Sequence, residues 1–389
     1  MAAGLALLVV FSLGVQVGNG RIAVSFFSTT KSENPGLPAQ LDYVSVNQVY
    51  QTLKQNYNGK LTTAQLLDGL KEGLAEATKD PYTEYFNPTD AKAFQDSLNN
   101  SFSGIGAELG KDDNGDLIIV APLKGLPADK AGLRAQDIIT SINGESTTGM
   151  SPDIAVGKIR GPKGTQVKLA VVRNHSDTLS FTITRDTIQL PSVTSKIVND
   201  NIGYMQIISF SDDTAMLAAQ AAQQFKQANV KGIVLDLRGN PGGLLDAAIS
   251  VSSLWLPGGK TVVTEKGTTG TQTYTATGDD PLYGIPTAIL IDDGSASASE
   301  ITAGALHDNG TARLIGEKSF GKGVVQQLID LSDGSELKVT VASWYRPNGD
   351  NINKQGIMPD QTVALSDSDA KAGNDTQLTA AEAYLTSQR

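Results

Sequence analysis

Cysteine is absent from the 389 residues. That removes disulfides, thiolate nucleophiles, iron–sulfur clusters and cysteine-based zinc sites together. It does not set the redox compartment, because a large exported domain can do without disulfides. Histidine is scarce: His175 and His307 are the only two, too few for a histidine-rich metal centre. Basic residues fall short of acidic ones, 31 Lys+Arg against 41 Asp+Glu, for a formal net charge of −10. Nothing in that balance offsets phosphate repulsion, so general nucleic-acid binding is a poor fit. What is left for chemistry is hydroxyls, carboxylates, lysines and backbone amides. Hydrophobic residues at 40% and charged residues at 19% exclude both a disordered polymer and a polytopic membrane protein. At roughly 150 residues per domain, the length predicts two to three domains.

The first segment reads as an address. From Ala2 to Gly20 there is no charge, and a bilayer span needs about 20 mostly apolar residues. Length favours an uncleaved, single-pass anchor with the rest of the chain outside the cytoplasm. A cleaved signal peptide, with Gly18-Asn19-Gly20 as its cleavage site, would instead release a secreted protein. Residues 21–42 mix Ser, Thr, Asn and Pro and read as a linker. Residues 43–100 show apolar positions at three- and four-residue steps, the period of helices, with Thr62 or Thr63 as a cap and Pro81 as a stop.

Residues 101–187 switch to strand-like alternation with hairpin dipeptides at Asn114-Gly115 and Asn143-Gly144. The run Gly104-Ile105-Gly106-Ala107, then Pro127-Ala128, Ala131-Gly132-Leu133 and Asp137-Ile138-Ile139, resembles a PDZ domain. In such a module a glycine loop lets backbone N–H groups converge on a peptide's terminal carboxylate, while the peptide adds as a strand. Gly104, Ile105, Gly106 and Ala107 are therefore the expected substrate-binding loop. From about Ile202 apolar strands alternate with helical patterns of 10–15 residues, which predicts a layered α/β domain over 188–366. Residues 367–389 close with one more helix.

A hydrolase usually uses a histidine base. His175 sits in a polar run between two strands and reads as a turn residue. His307 follows Ser297 by ten positions, roughly 15 Å along a helix axis, beyond reach of a hydroxyl. That spacing argues against a Ser–His–Asp triad. The alternative base is lysine, which works only when burial or a second cation lowers its pKa. Lys322, flanked by Gly321 and Gly323 between two expected strands, has such a setting.

Ser295-Ala296-Ser297-Ala298-Ser299, followed 25 residues after Ser297 (322 − 297) by Lys322 and four later by Gln326, resembles the signature of the C-terminal processing peptidases, or tail-specific proteases. Asp236-Leu237-Arg238-Gly239-Asn240-Pro241-Gly242-Gly243 extends the resemblance, as do Asp80-Pro81-Tyr82 and Gly356-Ile357-Met358-Pro359-Asp360. The resemblance implies Ser297 as nucleophile, Lys322 as general base and Gln326 as its support. It implies an oxyanion hole from the N–H groups of Ala298 and Gly243, with Gly242 as alternate. It also implies a crotonase/Clp-like protease core of α/β class carrying the inserted PDZ β-barrel, and protein or peptide substrates read by their free C-termini. Arg160 is either a coupler between the PDZ module and the catalytic site or a plain surface arginine after a helix. No cofactor or metal is expected, and a homodimer stays open.

Two other readings compete. Gly316–Gly323 nearly matches G-x-x-x-x-G-K-[ST], but Gly323 lacks the hydroxyl that would hold magnesium and a strand follows instead of a helix. Asp292, Asp293 and Glu300 read as solvated acids, with Glu300 favouring the first turn of its helix. The functional rival is a non-catalytic PDZ adaptor on a protease-like scaffold, which would have no use for Ser297, Lys322 and Gln326 together.

Overall fold

The computed structural model describes residues 36–388 apart from Ala39, Asp113, His175, Thr269, Asp367, Ala370 and Lys371. The expected anchor at 1–20, most of the linker and His175 lie outside these residues. By internal contacts the chain divides after Leu61. In the first unit helix α1 (Tyr43–Asn56) starts where the Asp42 carboxylate accepts the Val44 N–H at 3.0 Å.

The second unit begins with helix α2 (Thr63–Glu76), capped as the sequence predicts. Thr62 Oγ1 accepts the Gln65 N–H, and Gln65 Oε1 accepts the Thr62 N–H, so two orphan donors are satisfied reciprocally. The helix ends at Glu76, and Lys79 with φ +56° turns the chain before Pro81 can act as the stop. Strand β1 (Glu84–Phe86) and helix α3 (Pro88–Leu98) follow. The short β1 is not visible in the sequence pattern.

The next module holds β2 (Ser101–Gly104), β3 (Ala107–Lys111), β4 (Leu117–Pro122), α4 (Pro127–Lys130), β5 (Ile138–Ile142), β6 (Glu145–Ser146), α5 (Pro152–Ile159), β7 (Gln166–Arg173) and β8 (Asp177–Thr184). The sequence suggests one strand through SFSGIGAEL. Gly106, at φ +71°, divides it instead. β3 joins the barrel sheet, whereas β2 pairs with β9 (Asp186–Gln189). Alternation sets the barrel core. Val167, Leu169 and Val171 of β7 point inward and are fully buried with Ile119, Ile139 and Ile183.

The third part is a six-stranded sheet in the order β10 (Val193–Val198), β11 (Ile202–Ile207), β12 (Gly232–Asp236), β15 (Thr287–Ile291), β16 (Ala312–Gly316), β19 (Gln361–Thr362). Only the β10–β11 pairing is antiparallel. Every residue of β12 and β15 is buried, as expected for parallel strands covered on both faces. Ile233, Leu235, Ile289 and Ile291 face helices α6 (Thr214–Gln227), α7 (Leu245–Ser253) and α8 (Ala298–Asp308). Val234, Ala288 and Leu290 face Ala381 and Leu385 of the C-terminal helix α9 (Thr376–Ser387). The layered α/β core predicted from the sequence is thus an α/β/α sandwich. A second sheet orders β1, β18 (Glu336–Tyr345), β13 (Thr261–Gly267) and β14 (Gly270–Thr275), with β17 (Val324–Asp330) also on β18. Among the described residues no helix is long and apolar enough to cross a membrane.

Candidate active site

In an open parallel sheet, ligands bind beyond the carboxyl ends of the strands. The neighbouring strands β12 and β15 end in Gly239–Gly243 and Ser295–Ser297, so their parallel pairing brings the two glycine- and serine-rich loops together. Four hydrogen bonds join them. Gly239 N donates to Asp292 Oδ1 at 2.8 Å, Ala296 N to Asn240 O at 3.0 Å, Ser295 Oγ to Leu237 O at 2.8 Å and Ser299 Oγ to Asn240 O at 2.9 Å. The outer serines of the cluster are thus buried structural donors. Ser297, between them, is half-buried at the wall of a cavity of about 490 Å³.

Ser297 caps α8 with φ +53° and ψ −114°, a conformation that costs a side-chain-bearing residue about 1–3 kcal/mol. Ser297 and Glu300 form a capping box, the Ser297 side chain facing the Glu300 N–H while the Glu300 carboxylate accepts the Ser297 N–H at 2.9 Å. Packing fixes this strained turn. A methyl group on Gly242 would lie 2.8 Å from Ser297 Cβ and 2.9 Å from Ala298 N, so the glycine is required for close approach. The Gly242 N–H is already donated to Asn240 Oδ1 at 2.9 Å. The N–H groups of Gly243 and Ala298 have no acceptor among the described residues, and Gly243 is exposed. Of the two glycines the sequence proposes as oxyanion donors, Gly243 is the one with a free N–H.

Lys322 sits in the loop between β16 and β17. The loop is tied to the serine-rich loop by Phe320 N donating to Ser295 O at 3.0 Å, and to β18 by Trp344 Nε1 donating to Lys322 O at 2.8 Å. Burial pushes the Lys322 ammonium pKa below its ordinary range, with Lys338 lowering it further and Asp80 and Glu300 pulling it back. The ammonium lies 5.1 Å from the centre of the Tyr82 ring. No hydrogen bond joins it to Ser297 Oγ. Gln326 lines the same cavity, and its amide donates to Thr340 Oγ1 at 3.2 Å. Leu244, Leu245, Ile301, Val325 and Leu328 make much of the remaining wall apolar.

Glu300 is a site residue that sequence reasoning takes for a solvated acid. It is 1% exposed. Its carboxylate accepts from Ser319 Oγ, from Gly321 N at 2.7 Å, and from Lys322 N and Ser297 N at 2.9 Å each. Burial raises its pKa, and these four donors oppose the rise. The Ser-x-x-Glu spacing of Ser297 and Glu300 is the signal that could have found it, since that pattern places the acid at the cap's N–H.

His307 is tied up at the far end of α8. Arg346 donates to its Nδ1, and its Nε2 lies 3.1 Å from Asp360 Oδ1. Arg160 stacks on the Phe102 ring at 4.4 Å and flanks Gly104, so it lies beside the expected carboxylate loop of the PDZ module. Ile105 and Gly106 anchor that loop through their carbonyls, which accept the Ala128 and Leu123 N–H groups. Among the described residues no group of three or more acidic or histidine side chains is placed to hold a metal.

Residues 201–363 match the family model described as Peptidase family S41, and 118–173 match a PDZ domain. The carboxy-terminal processing protease CtpA of Bacillus subtilis (strain 168) is 40% identical over 322 residues, 83% of this chain and 69% of that protein. CtpB of the same organism is 38% identical over 345 residues, 86% of this chain and 70% of that protein. Among solved structures, a photosystem II D1 C-terminal processing protease aligns with a TM-score of 0.51 and 29% identity, covering 83% of this chain and 87% of that one. On this similarity to proteins that it matches over more than two thirds of their length, the chain belongs to peptidase family S41, with the carboxy-terminal processing proteases, and is a serine-type peptidase.

Proposed function

We propose that the protein is an exported endopeptidase held at the membrane by residues 2–20, that it cuts protein substrates recognised through their free C-terminal tails, and that Ser297 and Lys322 form its catalytic dyad. The observation that carries this reading is the strained cap at Ser297, whose hydroxyl faces the same cavity as Lys322 beside two amides without acceptors. The neutral Lys322 amine takes the proton of Ser297 Oγ as the oxygen bonds to the substrate's carbonyl carbon. The carbonyl oxygen gains the negative charge and lies against the Ala298 and Gly243 N–H groups. When the tetrahedral adduct collapses, the leaving amine takes the proton from Lys322 and an acyl-enzyme stays on Ser297. Lys322, neutral again, then deprotonates the water that releases the acyl group.

The apolar wall supports a substrate segment threaded in extended form. The Gly104–Ala107 loop, with Arg160 beside it, supports recognition of a carboxylate tail in the PDZ module. The test is mass spectrometry of tailed peptides digested by the chain and by Ser297→Ala. Cleavage products from the parent and none from the variant support the reading. Products from both overturn it, and products from neither favour the adaptor.

A further inference from the structure

We propose that the turn 80–83 is a holder for the base: the Tyr82 ring face and the Asp80 carboxylate keep Lys322 as an ammonium, away from Ser297, until it gives up its proton. This rests on the dyad reading above and extends it to residues that touch neither substrate nor nucleophile.

The turn is built for rigidity. Asp80 Oδ1 accepts the Tyr82 N–H at 3.2 Å and Asp80 Oδ2 accepts the Thr83 hydroxyl at 2.7 Å. Thr83 Oγ1 in turn accepts the Thr340 N–H at 3.2 Å, which docks the turn on β18. The Thr340 hydroxyl accepts from the Gln326 amide at 3.2 Å, and Thr340 favours the charged Asp80 carboxylate. Gln326 therefore acts on the base through Thr340 and Asp80.

The ring centroid at 5.1 Å is within cation–π range of the Lys322 ammonium. A neutral amine has no such attraction. Losing the proton thus releases Nζ from Tyr82 at the moment it becomes a base. The charged groups facing Lys322 are Asp80 and Glu300, which favour the ammonium, and Lys338, which with burial opposes it. Tyr82 and Asp80 are positioning residues, because they act through Lys322.

The test follows the rate at which a fluorophosphonate acylates Ser297 in the full chain as pH is raised. Tyr82→Leu keeps bulk but loses the ring's negative face, and Asp80→Asn keeps an oxygen acceptor but loses the charge. Both should move the ascending limb toward acid, with acylation about two- to five-fold faster on its acid side and no change on the alkaline plateau. Tyr82→Phe should keep the parental limb. An unmoved limb in both Tyr82→Leu and Asp80→Asn, or a uniform slowing at every pH, overturns the proposal. If Tyr82→Leu does not fold, Asp80→Asn against Tyr82→Phe decides alone. Lys322→Ala separates the two readings: a parental limb in that variant would overturn the dyad itself.

Discussion

The main-chain amides of Ser297 and Lys322 share one acceptor, Oε2 of Glu300, at 2.9 Å from each. The carboxylate thereby fixes the spacing of two loops that come from different strands. Glu300→Ala would strand four donors, of which Ser319 Oγ and Gly321 N are buried, at about 1–3 kcal/mol for each buried one. A loss of about 3 kcal/mol or more in denaturant melts is expected, with kcat lower by about 100-fold. Glu300→Gln keeps one oxygen acceptor and should fall between Ala and the parent in both measurements. Parental kcat in Glu300→Ala would show that the two loops hold their spacing without it.

Ser297→Ala and Lys322→Ala should each abolish peptide cleavage while leaving circular dichroism and melting temperature close to the parent. Their combination should cost no more than either alone, because nucleophile and base work as a unit. Lys322→Arg should be as inactive as Lys322→Ala, since a guanidinium does not release its proton at ordinary pH.

Gly242 offers a purely steric test. Its φ of +99° disfavours any side chain, and a methyl there would press on Ser297 Cβ and on the Ala296 carbonyl, 2.7 Å away. Gly242→Ala should therefore lower kcat by about 100-fold or more, read by steady-state kinetics on a quenched peptide. Gly239 also has a positive φ, but a methyl there meets no atom within 4 Å. Gly239→Ala should accordingly keep most of the activity.

The sign of the pH dependence follows from the proposed role of Lys322 as base. Only the neutral amine accepts a proton, and burial with Lys338 nearby depresses the folded-state pKa of Lys322. Activity should rise as pH passes upward through that value, which lies below the ordinary lysine value of about 10.4. Lys338→Met removes the like charge and should shift the rising limb to higher pH. His307→Ala should leave the limb in place. A limb that vanishes with His307 would identify a histidine base instead.

Tail recognition can be tested with peptides that differ only at the C-terminal group. Calorimetry on the full-length Ser297→Ala chain should show the amidated peptide binding about ten- to a hundred-fold more weakly than the acid, the worth of a charge-assisted hydrogen bond of about 1.5–3 kcal/mol. Equal affinities would mean that the Gly104–Ala107 loop does not read the carboxylate.

What could be read in the sequence was what depends on local pattern. The cap at Thr62, the all-buried strands β12 and β15 and the barrel alternation of β7 follow from residue type and period. The serine–lysine spacing stood out as a motif. The acceptor role of Glu300 did not, because an acid in the first turn of a helix ordinarily faces water, and only the docking of the 319–322 loop encloses it. Tyr82 was read only as part of the resemblance, and its place over Lys322 escaped for a similar reason. It lies 240 residues before Lys322 (322 − 82), and no periodicity relates a turn to a loop brought over it by a sheet. The split of SFSGIGAEL turns on one backbone angle at Gly106, which a strand-like alternation cannot register.

The β2–β9 pair carries a consequence for how such a chain can be rebuilt. Ser101 pairs with Gln189, and beyond them Asn100 and Leu190 exchange hydrogen bonds, Leu190 N to Asn100 O at 3.1 Å and Asn100 Nδ2 to Leu190 O at 2.9 Å. The barrel therefore leaves the chain and returns to it at adjacent points. A segment with its ends clasped in this way behaves as a cassette, because excising it leaves a gap that a tight turn can bridge. Foreign recognition modules with neighbouring termini could be spliced between Asn100 and Leu190, giving the same catalytic body a different choice of target.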